Sequence, residues 1–133
     1  MRILDIRRAA ADAPAPNASR PATAIVHDSA DARLVVFRLA PGQSVPPHRS
    51  VSTVTLTAIS GRGFARGAAD ECALAPGETV IFEPNELHGM RAEDEELVLL
   101  ATITPRPGAR STVASDAHVL ARAAVANSGA EEL

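Results

Sequence analysis

At 133 residues the chain has room for one domain, and a core of that size can stand alone. With 46% of residues hydrophobic, 22% charged and a formal charge of −3, the composition is that of a globular protein and speaks against a nucleic-acid partner, which needs a basic excess on one face. All thirteen basic residues are Arg, so Schiff-base chemistry, pyridoxal phosphate attachment and a Walker-type phosphate loop are excluded for want of a lysine. Cys72 is the single cysteine, which removes an intrachain disulfide and a cysteine-rich zinc site and makes the cytoplasm the expected compartment. The first eight residues carry charge throughout and no run approaches about 18 apolar residues, so neither secretion nor membrane insertion is expected.

The chain opens with a short segment, Arg2 to Ile6, followed by an Ala- and Pro-rich stretch from Ala9 to Pro21 that reads as a linker or arm. Ile3-Leu4-Asp5-Ile6 on such a tether suggests a strand swapped between two copies. Thr23 to His27, a turn at Asp28–Asp31 and Arg33 to Leu39 have the pattern of a hairpin. The turn Pro41-Gly42 leads through Pro46-Pro47 into His48 to Ser60, where Thr53, Thr55 and Thr57 alternate with Val54, Leu56 and Ala58; period two predicts one polar and one apolar face. Gly61-Arg62-Gly63 opens a glycine-spaced stretch, running to Gly67, that reads as a tight hairpin. Beyond Gly63, short strand-like segments fall around Phe64, Cys72 to Leu74, Thr79 to Glu83, Leu87 to Arg91 and Glu96 to Thr104, separated by Pro76-Gly77, Pro84-Asn85 and Glu93-Asp94-Glu95. That grammar predicts an all-β sandwich or barrel. After Pro105-Arg106-Pro107-Gly108, Asp116 to Val125 could form one helix capped by Ser115.

Two stretches carry the chemistry. The first runs from Gly42 through His48, Ser50 and Val54 to Gly61; the second runs from Gly77 through Glu83, Asn85 and Glu86 to His88. In spacing they resemble the two motifs of the cupin family, G-x5-H-x-H-x3/4-E-x6-G and G-x5-P-x-G-x2-H-x3-N, with Gly42, His48 and Gly61 matching the first and Gly77 and His88 the second. The resemblance spans residues 22 to 104 and implies a double-stranded β-helix of jelly-roll type, which often pairs as a homodimer. It also implies where a divalent metal would sit in members that hold one, on two His and a Glu of the first motif and the His of the second. Here Ser50 replaces the second His and Val54 the Glu, so His48 and His88 remain. Glu83 or Glu86 is the nearest carboxylate that could complete a shell, whereas the lone Cys72 is more often a small buried hydrophobe than a ligand.

The sequence therefore leads to three segments: residues 1–21 as an N-terminal strand and arm, residues 22–104 as a cupin barrel and residues 105–133 as an extension. The pocket is expected to be lined by His48, Ser50, Val54, Leu56, Phe82, His88 and Met90, and the function to be small-molecule binding at a depleted metal site. The alternative is an enzyme of the dioxygenase, isomerase or lyase kind that uses His48 and His88 to hold Fe, Mn, Ni, Cu or Zn. Arg49 should face away from His48 by strand parity, and His27 and His118 are read as surface residues.

Overall fold

The structure, a computed structural model, describes residues 1–108. The predicted helix at 116–125 and His118 lie outside the described residues.

Among the described residues nine strands follow one short helix: α1 (Ile6–Asp12), β1 (Ala22–Asp28), β2 (Arg33–Leu39), β3 (Ser44–His48), β4 (Thr53–Ser60), β5 (Gly63–Arg66), β6 (Glu71–Leu74), β7 (Thr79–Phe82), β8 (His88–Ala92) and β9 (Leu97–Thr104). They form two antiparallel sheets, one ordered β1-β2-β9-β4-β7 and the other β3-β8-β5-β6. The apolar faces meet between the sheets, as the period-two patterns require. In β4, Val54, Leu56 and Ala58 are buried while the threonines between them are half-buried on the opposite face. In β2 and β9, Val35, Phe37, Leu39, Leu97, Leu99, Ala101 and Ile103 complete the same core.

Three tight turns place the strand ends. Ala40–Gln43 and Ala75–Glu78 each close with a backbone hydrogen bond, from the Gln43 amide to the Ala40 carbonyl (2.9 Å) and from the Glu78 amide to the Ala75 carbonyl (3.0 Å). Proline leads each turn and glycine follows at φ +78° (Gly42) and +89° (Gly77), a region closed to most side chains. The third turn, Glu83–Glu86, uses Pro84 and then Asn85 at φ 66°. Asparagine tolerates this conformation better than most residues, which explains how it stands where the family's second motif has glycine.

The structure corrects the sequence reading in three places. First, Ile6–Asp12 is a helix, and residues 1–5 form no strand to swap. Asp5 caps it by accepting a hydrogen bond from the Arg8 amide at 3.1 Å, three alanines favour it, and Ala13 before Pro14 ends it in extended conformation. So short a helix is marginal alone; Ala10 seats it against Val36 and Val98 on the outside of the larger sheet. Second, His48 to Ser60 is not one strand. His48 ends β3 and a loop at 49–52 precedes β4; Pro46 and Pro47 are tolerated because β3 is an edge strand and has only β8 as neighbour. Third, the stretch from Gly61 to Gly67 is not one tight hairpin: Gly61 and Arg62 carry the chain from the larger sheet to the smaller, and Gly63–Arg66 is strand β5.

Candidate functional site

His48 and His88 face each other where β3 ends and β8 begins. Their ring centroids are 4.5 Å apart with planes inclined at 56°, and the Phe82 ring lies 5.3 Å from that of His88. Each Nδ1 faces a backbone carbonyl two residues earlier, that of Pro46 for His48 (3.0 Å) and that of Glu86 for His88 (3.2 Å). A carbonyl oxygen can only accept, so in the neutral rings Nδ1 carries the proton and Nε2 carries the lone pair. His88 is 1% exposed, and its Nε2 has no hydrogen-bond partner among the described residues. Burial, followed by the proximity of His48, pushes the His88 pKa down to about 4 against the opposing effect of the Glu86 carbonyl. His88 is therefore neutral at physiological pH.

The surroundings are ordered by backbone contacts. The Asn85 amide donates to the Ser50 carbonyl (2.7 Å), tying the turn before His88 to the loop after His48. Ser50 Oγ accepts from the Ser52 amide at 3.1 Å, and Ser52 Oγ donates to the Pro105 carbonyl at 2.7 Å. Arg49 lies in the loop after β3, where strand parity does not apply; it is exposed and donates to the Asn85 carbonyl. Gly89 lies between His88 and Met90 because β3 passes too close for a side chain: a Cβ there would meet the Val45 carbonyl oxygen at 2.5 Å. Ser52 and Gly89 went unnoticed in the sequence. A glycine between two inward-facing strand residues was the available signal for the second.

Of the seven predicted pocket residues, Val54, Leu56, Phe82 and Met90 are packed into the core at 0–5% exposure, and Ser50 is buried at the edge of the histidine pair. Glu83 and Glu86 do not join the imidazoles. Both are exposed, and Glu86 Oε1 accepts from the Glu83 amide at 2.9 Å, closing its own turn. Among the described residues no group of three or more His, Cys, Asp or Glu is placed to hold a metal ion. Cys72 is exposed on β6 and is not the buried hydrophobe expected, because β6 is an edge strand with three outward-lying residues. His27 is a half-buried surface residue, with its Nδ1 3.0 Å from Arg2 Nη2. Two surface depressions, of about 470 and 700 Å³, include neither imidazole in their linings.

A divalent ion in an open site takes about three protein ligands, commonly with a carboxylate or thiolate to offset its charge. Among the described residues two imidazoles with no carboxylate or thiolate beside them do not meet that requirement, so this donor set does not fit a resident divalent metal.

Two facing antiparallel sheets with paired histidines at the ends of β3 and β8 define a double-stranded β-helix domain. The profile of the cupin domain family matches residues 35–103, and the chain belongs to that family. Among solved structures it is similar to the TT1209 protein of Thermus thermophilus, at 28% identity over 80% of this chain and 100% of that one, with a TM-score of 0.72. A protein of Klebsiella pneumoniae described as having a double-stranded beta-helix domain matches at 24% identity over 79% of this chain and 90% of its own, with a TM-score of 0.69. An RmlC-like cupin from Desulfovibrio desulfuricans matches at 22% over 79% and 97%, also with a TM-score of 0.69, and bears on the fold alone. No curated protein matches the chain.

Proposed function

We propose that this cupin domain binds a small molecule at the His48–His88 pair without a resident metal ion, and that binding rather than turnover is its task. The observation that carries this reading is His88 Nε2, a buried acceptor with no hydrogen-bond partner among the described residues. Leaving such an atom unsatisfied costs about 1–3 kcal/mol, which a hydroxyl, amide or amine N–H of a ligand recovers by donating to it. Because neutral His88 presents a lone pair at Nε2, the site favours neutral donors over carboxylates. A base with a pKa of about 4 gains little by removing a proton at neutral pH, which weighs against general-base catalysis by His88. In this reading Ser50, Val54, Leu56, Phe82 and Met90 supply the walls, and half-buried His48 marks the side of entry.

A thermal-shift screen of neutral polyols and amides beside carboxylates, run on the wild type and on His88→Gln, tests it. Neutral donors should raise the melting temperature of the wild type and leave that of the variant unmoved. Stabilisation by carboxylates alone, or equal shifts in both proteins, contradicts the reading. The adjacency of the imidazoles favours a second reading, a metal-dependent enzyme with His48 and His88 as ligands. One equivalent of Fe, Mn, Ni, Cu or Zn in untagged protein, lost in both His48→Ala and His88→Ala, establishes that alternative; the donor set leads us to expect none.

For assembly and setting we propose a homodimer in the cytoplasm. Ile81, 59% exposed on edge strand β7, supports the first, and the single cysteine supports the second. Light scattering that gives one chain mass at micromolar concentration rejects the dimer.

A further inference from the structure

We propose a second ligand site, separate from the histidine pair: the groove between helix α1 and the outer face of the larger sheet, taking a small organic carboxylate with an apolar body. The groove has a volume of about 470 Å³, within the range of roughly 300–1,000 Å³ typical of small-molecule sites. Its floor is apolar, made by Ala10 and Val98, each 6% exposed, and by half-buried Ile59. These belong to a second apolar cluster on the outside of the sandwich that α1 covers only in part.

The polar groups lie on its walls. Arg38 is fixed in place: Nε donates to Glu96 Oε1 at 2.8 Å, Nη2 to Glu96 Oε2 at 3.4 Å and Nη1 to the Ala13 carbonyl at 2.9 Å. Arg7 is exposed and has no ion pair among the described residues. Two guanidiniums and one carboxylate leave a single positive charge in excess, which matches a monoanion and is poorly suited to a dianion. A guanidinium presents parallel N–H donors at the spacing of carboxylate oxygens, so Arg7 suits that anion in particular.

The helix explains why the space is open. Arg7 and Ala11 are four residues apart and Ala10 lies beside them, so one face of α1 sets a cation above two methyl groups. Larger side chains at those positions would fill the groove that the alanines leave. Ala10 faces the sheet, while Ala11 is exposed and can be enlarged without entering the core.

Calorimetry with 4-phenylbutyrate as the probe and 4-phenylbutyramide as its neutral counterpart tests the site. Saturable binding of one equivalent of the carboxylate is expected, weakened about tenfold in Arg7→Gln, where a charge-assisted contact is lost, and blocked in Ala11→Phe. The amide should bind the wild type about as weakly as the carboxylate binds Arg7→Gln. His88→Gln should leave the carboxylate affinity unchanged, which separates this site from the interior one. No saturable binding, affinity indifferent to Arg7→Gln, or binding lost in His88→Gln overturns the proposal. Both test positions are solvent-exposed, and unchanged melting temperatures of the two variants confirm that the fold is intact.

Discussion

Acidification from pH 6.5 to 4 should destabilise this protein through His88. His88 has a pKa of about 4 in the folded chain, against the ordinary histidine value of 6.5 once unfolded. Above pH 6.5 both states hold the ring neutral and it contributes no pH dependence. Between 6.5 and 4 the unfolded chain binds a proton that the folded chain refuses, so stability falls as pH falls. At about 1.4 kcal/mol for each pH unit the loss reaches about 3 kcal/mol by pH 4, a large share of the roughly 5–15 kcal/mol typical of a domain. Urea denaturation at several pH values from 7.5 to 4, on the wild type and on His88→Gln, isolates this contribution. The variant cannot take up the proton, so its stability should decline less steeply over that window, and the gap between the two curves should change by about 3 kcal/mol. Asp28, held below the usual carboxylate range first by Arg106 and then by Arg33, loses its stabilising contribution at lower pH in both proteins alike. Parallel curves for the two proteins between pH 6.5 and 4 would refute the placement of a neutral, desolvated imidazole at position 88.

Other substitutions probe the packing that holds the site. His88→Leu removes an unsatisfied buried acceptor, so at pH 7 it should be neutral or stabilising by up to about 1 kcal/mol in thermal melts while abolishing ligand-induced shifts. Gly89→Ala would drive a Cβ into the Val45 carbonyl oxygen at 2.5 Å, forcing β3 from β8; a loss of about 2 kcal/mol or more in urea melts is expected, with ligand response impaired because the histidines separate. Leu56→Ala should cost about 2–5 kcal/mol in the same melts, since Leu56 is fully buried between the sheets. Arg38→Met breaks the contacts to Glu96 and Ala13, and limited proteolysis should then cut near α1 faster than in the wild type, with the barrel left intact.

The barrel was legible in the sequence because its rule is local. Alternation in Thr53 to Ala58 states which face is buried without reference to any other strand, and Pro-Gly pairs mark turns whose φ only glycine accepts freely. The spacing of His48 and His88 also survived into the structure, since turn geometry and strand register carry it. What failed was local reading where a neighbour decides. Pro46-Pro47 read only as the lead-in to a segment starting at His48, yet both lie within β3, an edge strand that tolerates them. The alanines of α1 looked like a linker, and only the apolar outer face of β2 and β9 gives them something to pack on. Cys72 looked buried, and only the end of a sheet exposes it.

The sequence by itself determined the strand pattern, the family resemblance and the presence of Ser50 and Val54 where the metal-holding motif has His and Glu. Only the tertiary structure decided that Glu83 and Glu86 turn away, that each Nδ1 is held by its own backbone, and that His88 Nε2 is left as a buried acceptor. The physical reason is that alternation and turn chemistry act between neighbours in the chain. Desolvation and hydrogen-bond satisfaction depend instead on which groups from distant segments share the same few ångströms.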